Sequence, residues 1–227
     1  MSVRDNVLEV RERMANAAER ALREPSDVLL VAVTKTVEPP RIAECIAAGV
    51  TAIGENRIQE AERKFGDLPK VARHMVGHLQ RNKVPRALEL FDMIQSVDSP
   101  RLAREISKRA SAAGLDVDVL VEVNTSGEES KYGFSPDEVV DEIAEMADLH
   151  GLRVRGLMTV GAFEADPDDV RPSFRLLRNI RDRVEEAVIP GVGMDHLSMG
   201  MTNDYEVAIE EGATIVRVGR AIFGERE

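Results

Sequence analysis

Cysteine is nearly absent, with one residue, Cys45, in 227. That excludes an intramolecular disulfide and any metal site built on several thiolates, and it points to a reducing compartment such as the cytoplasm. No apolar run approaches the roughly eighteen residues of a membrane span. The N-terminal MSVRDNVLEVRERM is charged throughout, without the basic start and apolar middle of a secretion signal. Basic charge is in deficit, 30 Lys and Arg against 41 Asp and Glu for a formal net charge of -11, so the overall field repels nucleic-acid phosphates. Arg178, Arg181 and Arg183 cluster locally, but with Asp182 and Glu185 interleaved they read as a solvated helix face. Neither a nucleic-acid partner nor a membrane is expected. Spaced Cys/His motifs are missing, and His74, His78 and His196 match no ligand pattern, so no metal is expected either. No G-x-S-x-G elbow occurs, and Asp195 and His196 lie too close to Ser198 in sequence to imply a triad.

What is present is length and alternation. A chain of this size with 43% hydrophobic residues buries a large core, and α/β barrels of such length form one domain. After a helix over 3–23, ending before Pro25, eight aliphatic runs read as strands at 28–34, 51–54, 74–77, 92–96, 117–123, 154–160, 193–198 and 214–218. Helices are expected between them at 39–48, 56–66, 81–90, 99–113, 135–149, 168–187 and 203–211. Ser99-Pro100 and Ser135-Pro136 each supply a cap residue followed by proline in the first turn. The alternation admits a closed barrel or an open doubly wound sheet. VAVTKTVEPP, after the first strand, holds no glycine and therefore no dinucleotide fingerprint, and the eight repeats match the barrel count. No linker or low-complexity tract breaks the series. The expectation is an α/β fold: a single (β/α)8 TIM barrel, one domain over 1–227, with an extra N-terminal helix.

In a barrel the chemistry lies at the carboxyl-terminal mouth. Residues closing the strands then become neighbours: Lys35, Glu55 and Asn56, His78, Asp98, Asn124, Met158 and Thr159, Ser198 and Thr202, and Gly219. Lys35 closes the apolar run VLLVAVT. Burial there would lower the pKa of the amine and make it a nucleophile toward an aldehyde, as an aldolase-type intermediate or a pyridoxal phosphate internal aldimine requires. A lysine at a strand end equally reaches for solvent. Thr202 lies in a turn that opens a helix, and Gly219 lets backbone approach a ligand, so both offer donors for a phosphate dianion. Glycine here also serves simply to make a tight turn. Arg217 is the only charge in TIVRVG, and a buried guanidinium needs an acceptor. A pyridine ring nitrogen would serve, because arginine can only donate; so would a barrel glutamate such as Glu122.

Taken together, VAVTKTVEPP, GENRIQEA, GHLQRNK, VNTSGEESKYGF, GLMTVG, HLSMGMTNDYEVAIEEG and VRVGRAIFG resemble, in order and spacing, the pyridoxal phosphate homeostasis proteins. That family is similar to the barrel half of alanine racemase and the fold-type III decarboxylases. The resemblance implies a Schiff-base lysine at Lys35, a cofactor contact at Asn56, phosphate donors at Thr202 and Gly219, and the ring-nitrogen partner at Arg217. Met158, Ser198 and Arg220 complete the implied pyridoxal 5'-phosphate site, with Lys83 and Lys131 as secondary contacts or transfer points. Thr202 stands where serine is commoner and keeps the hydroxyl. Arg220 stands where a small hydroxyl residue is usual, and it either adds a charge-assisted contact or turns outward.

The functional expectation is a cytoplasmic monomer that holds pyridoxal phosphate on Lys35 and manages its supply, with apo-enzymes as recipients and no turnover of its own. The resembling racemases complete their site with a second, β-rich domain and a catalytic tyrosine, whereas Tyr132 and Tyr205 are the tyrosines available here. Two alternatives stand beside it. One is a weak amino-acid racemase using Lys35 and one further acid–base group. The other is a cofactor-free Schiff-base aldolase barrel holding a sugar phosphate with Ser198, Thr202 and Gly219.

Overall fold

A computed structural model describes residues 2–128, 131–161 and 166–224. Eight parallel strands close into a barrel in sequence order: β1 (Leu29–Val33), β2 (Ala52–Glu55), β3 (Ala72–Met75), β4 (Met93–Val97), β5 (Val117–Glu122), β6 (Leu152–Met158), β7 (His196–Ser198) and β8 (Ile215–Val218). Closure is made by β1, where Val31 lies opposite Ala52 on one side and Arg217 on the other. The helices are α1 (Val3–Arg20), α2 (Pro39–Ala47), α3 (Ile58–Lys64), α4 (Val84–Leu90), α5 (Pro100–Ala113), α6 (Val139–Ala147), α7 (Arg171–Glu186), α8 (Tyr205–Glu210) and α9 (Arg220–Phe223).

Strand residues alternate between two apolar environments, as the period of a strand dictates. Val31, Ala52, Met93, Leu120, Met158 and Ile215 fill the barrel interior, while Leu30, Ala32, Ile53, Val119 and Val216 pack outward in the layer shared with the helices. Helix α1 begins with a Ser2–Asp5 capping box and presents Val3, Val7, Val10 and Met14 as a buried stripe. It packs outside the barrel against α2, α8 and α9, and Asn6 Nδ2 donates to Ile222 O at 2.8 Å. The two short helices that start at the mouth, α8 and α9, are therefore braced from outside. No helix among the described residues is long and apolar enough to cross a membrane.

Several boundaries differ from those expected by one to four residues, and three of the differences have a visible cause. Strand β3 begins at Ala72, because Ala72 and Arg73 already pair with Ala52 and Ile53. The charge of Arg73 hides this in sequence; its guanidinium lies 4.7 Å over the Phe65 ring and donates to Phe65 O at 3.0 Å. Strand β6 begins at Leu152, with Arg153 inside it matched to Asp118 of β5 at 2.9 Å. Helix α6 starts at Val139 rather than at Ser135-Pro136; Ser135 Oγ accepts from Asp137 N at 3.4 Å, two residues on, and the chain turns before it winds. The Ser99-Pro100 start holds, with Ser99 Oγ accepting from Leu102 N at 3.4 Å.

Candidate functional site

Lys35 follows β1 at the carboxyl-terminal mouth and is half-buried. The residues on either side of it are tied to one buried ion cluster. Lys64 Nζ donates to Thr34 O at 2.8 Å, Glu55 Oε1 at 2.9 Å and Glu60 Oε2 at 3.0 Å. Thr34 Oγ1 donates to the same Glu55 oxygen at 2.7 Å, and the Thr36 N–H donates to Glu60 Oε2 at 2.7 Å. These bonds hold Thr36 in the left-handed region at φ 63, a conformation that costs a β-branched residue about 1–3 kcal/mol unless its surroundings impose it. Burial raises the Glu55 carboxyl above the usual carboxylate range, against the pull of Lys64 and Thr34. On the next strand end, Asn56 is half-buried and its Oδ1 is a buried acceptor without a donor among the described residues.

A second polar system runs through the barrel interior. Arg217 Nη1 donates to Ser198 Oγ at 2.5 Å and Nη2 to Thr159 O at 2.7 Å. Ser198 Oγ donates to Gln95 Oε1 at 2.7 Å, and Gln95 Nε2 lies 2.7 Å from His74 Nδ1. Because arginine only donates, the direction of the whole chain is set: Ser198 passes its proton toward Gln95, the Gln95 amide group donates to Nδ1, and His74 is neutral with its proton on Nε2. Burial agrees, pushing His74 down to about 4. Burial also lowers Arg217 to about 10, with Glu122 and Asp204 opposing. The anticipated Arg217–Glu122 alternative is not a contact; the guanidinium bonds go to Ser198 and Thr159, and Glu122 acts on it only through its field. Two bonds leave further donors on a group that carries five N–H hydrogens.

The ends of β7 and β8 lie side by side, with Arg217 N donating to Gly200 O. Thr202 is half-buried in the turn that leads into α8, and Gly219 caps α9. In the turn that leads into α8, Asp204 N and Tyr205 N both return to Met201 O, and in α9, Ile222 N and Phe223 N both return to Gly219 O. The N–H groups of 202–203 and 220–221 thus belong to first turns, whose donors have no partner inside the helix. A Cβ at Gly219 would come 3.2 Å from Val33 O, so glycine keeps β8 close to the end of β1 and to Lys35. Arg220 is exposed and turned outward, with Nη2 at 3.5 Å from Asn203 Oδ1. Met158 belongs to the apolar barrel interior. Lys83 is half-buried at the turn before α4, and Lys131 is half-buried, with Nζ reaching Gly161 O at 3.1 Å and Glu128 at 2.6 Å.

Sequence reasoning missed Lys64, Glu60, Gln95 and the link from His74. A signal existed for one of them: Gln95 is a polar residue in the middle of a wholly buried strand, and such a side chain requires a partner. Lys64 carried none, since a lysine ending an amphipathic helix ordinarily faces water.

The residues present suit pyridoxal phosphate. An amine, an orphan oxygen acceptor, a donor-only guanidinium and two helix starts match an aldehyde, a phenolic hydroxyl, a ring nitrogen and a phosphate. The family described as alanine racemase, N-terminal domain, matches residues 6–227, which defines the class as a barrel of that type. The chain belongs to the pyridoxal phosphate homeostasis protein family. It is 42% identical over 229 residues to the pyridoxal phosphate homeostasis protein of Aquifex aeolicus, covering 100% of both chains. Among solved structures it resembles PipY of Synechococcus elongatus with pyridoxal phosphate bound, at 34% identity and TM-score 0.82 over 95% of this chain and 100% of that one. An alanine racemase of Clostridium difficile, at 18% identity and TM-score 0.72, shares the fold over 96% of this chain and 57% of its own.

Proposed function

We propose that this chain binds pyridoxal phosphate through Lys35 and serves its homeostasis, holding and releasing the cofactor without running a reaction on it. The observation that carries the reading is the convergence of Lys35, Asn56 Oδ1, Arg217, the turn at Thr202 that leads into α8 and the start of α9 at Gly219 on one mouth. The name of the Aquifex relative and the cofactor bound to PipY support it. When bound, the cofactor supplies an electrophilic carbonyl carbon and a conjugated ring that accepts electrons.

The residues of the chain do the rest. Lys35 Nζ is the nucleophile toward that carbon, and the Thr34–Thr36 turn holds its backbone still. The Thr202 hydroxyl and the N–H groups of the two first turns hold the phosphate, with the Arg220 backbone among them. Arg217, fixed by Ser198, donates to the ring nitrogen and keeps it unprotonated, which weakens the ring as an electron sink. Met158 lies in the apolar filling beneath. We infer residues 1–227 to be one cofactor-binding domain, a cytoplasmic monomer that hands pyridoxal phosphate to apo-enzymes.

The test is a spectroscopic titration with pyridoxal phosphate. Wild type gains a visible absorption band that borohydride abolishes. The Lys35→Ala variant gains none while keeping its far-ultraviolet circular dichroism, because a residue at the mouth adds little to core packing. An equal band in the variant contradicts the reading. Loaded protein in deuterated water exchanges the α-proton of single amino-acid enantiomers no faster than free cofactor does; rapid exchange would favour the weak racemase instead.

A further inference from the structure

Glu122 is the acid that the proposed cofactor site leaves unused. It ends β5, two residues after the interior Leu120 and so on the same inward face, and it is 6% exposed. No side chain among the described residues donates a hydrogen bond to it, an arrangement that is costly for a buried carboxylate. Its surroundings are acidic. Asp98, just past β4, stands beside it, since Val97 pairs with Val121; burial first and Asp98 second push its protonation up, and Arg217 pulls the other way. Asp98 Oδ2 is held at 2.6 Å by His78 Nδ1. The His78 ring is stacked on Tyr132 at 3.9 Å and 14°.

Tyr132 arrives there because the chain after β5 folds back on it. Phe134 N donates to Glu122 O at 2.8 Å and Asn124 N to Phe134 O at 3.0 Å. Gly133, at φ 117, permits the approach, since a Cβ there would lie 2.7 Å from Asn124 N. In a ring of eight strands β5 stands opposite β1, so this acidic wall, roofed by an exposed aromatic ring, faces Lys35 across the mouth.

We propose that Glu122, with Asp98 and His78, forms a subsite for the ammonium group of an incoming lysine side chain, the amine that takes the cofactor from Lys35. The proposal rests on the reading that Lys35 holds pyridoxal phosphate. An unpaired buried carboxylate beside a second acid attracts a cation, and the same wall repels the carboxylate that a free amino acid carries next to its ammonium group. A lysine of another protein brings an ammonium on a long apolar stem with no carboxylate beside it, and Tyr132 offers a ring to that stem.

The step balances without a further reagent. The ammonium gives one proton to Glu122. Its freed lone pair bonds the carbon held by Lys35, a second proton passes from the incoming nitrogen to Lys35 Nζ, and the bond between that carbon and Nζ breaks with its electrons returning to Nζ. Lys35 leaves as a neutral amine, and the cofactor carbon remains on the incoming nitrogen.

Protein loaded with pyridoxal phosphate is mixed just above neutral pH with Nα-acetyl-lysine N-methylamide or with glycine, and loss of the Lys35-bound absorption is followed. The wild-type rate saturates with the lysine mimic, which outcompetes glycine. Glu122→Gln loses saturation and slows by roughly 100-fold, the scale of a lost general base. In cofactor-free protein, methylammonium shifts the Glu122 carboxyl carbon resonance and tetramethylammonium, which has no N–H, does not. Rates that rise linearly and equally in wild type and Glu122→Gln, faster transfer to glycine, or an unmoved carboxyl resonance would each overturn the proposal. A wild type that never loads refutes the Lys35 reading instead, and the resonance measurement still decides this one.

Discussion

Two buried charged systems flank the mouth, and they are built in opposite ways. On the β1–β2 side, Lys64 meets Glu55, Glu60 and the Thr34 carbonyl, and nearly every bond it can make is made. In the interior, Arg217 rests on the neutral groups of Ser198 and Thr159, while no side chain among the described residues donates a hydrogen bond to Glu122. The saturated Lys64 ammonium fixes geometry, although Glu55 Oε2 is left without a partner among the described residues: Thr34 and Thr36 cannot move without breaking bonds to the cluster, so Lys35 springs from a rigid turn. Unsaturated charges stay available to a ligand, and the fold tolerates their burial only at some expense of stability. One region holds the nucleophile in place, and the other keeps its chemistry open.

The sharpest way to break the contrast is Lys64→Met. It strands two carboxylates, one of them fully buried, and should destabilise the protein by about 3–5 kcal/mol in urea unfolding. A loss below about 1 kcal/mol, the worth of a surface pair, would mean the cluster does not hold the turn. Glu122→Gln should act in the opposite direction. Burial first and Asp98 second raise this carboxyl to about 7, so the folded chain retains a proton that the unfolded chain has already released. Wild-type stability therefore falls as pH rises from the usual carboxylate range to about 7. The variant lacks that slope and should be the more stable by up to about 3 kcal/mol above neutral pH, measured by denaturant melts across pH. Arg217→Met removes the donor without adding charge, and it should weaken retention of pyridoxal phosphate roughly tenfold and shift the bound spectrum. An unchanged spectrum would separate Arg217 from the ring. The smallest effect belongs to Arg220→Ser, whose side chain is exposed, and its melts should stay within about 0.5 kcal/mol of wild type.

The same contrast explains what could be read before the fold was known. Strand count, closure and the positions of Lys35, Thr202, Arg217 and Gly219 follow from local pattern, because apolar alternation and strand ends are written in consecutive residues. The lone charge in TIVRVG announced that Arg217 needed a buried acceptor. Which acceptor it found depends on Ser198 and Thr159, brought to it by the β7 and β6 registers and by no local signal. Arg73 and Arg153 concealed the starts of β3 and β6 because their partners, Phe65 and Asp118, come from other elements. The turn after Ser135 imitates a helix start in sequence and differs in its side-chain bond, Ser135 Oγ accepting from Asp137 N two residues on where Ser99 Oγ accepts from Leu102 N three residues on.

The central claim is that the rigid β1 turn presents the one lysine that captures the cofactor. Borohydride reduction of protein loaded with a single equivalent of pyridoxal phosphate, followed by peptide mapping in a mass spectrometer, tests it most directly. The account predicts the reduced pyridoxyl mass on the peptide containing Lys35, with Lys64, Lys83 and Lys131 unmodified. Label spread over several lysines, or absent from Lys35, would contradict it.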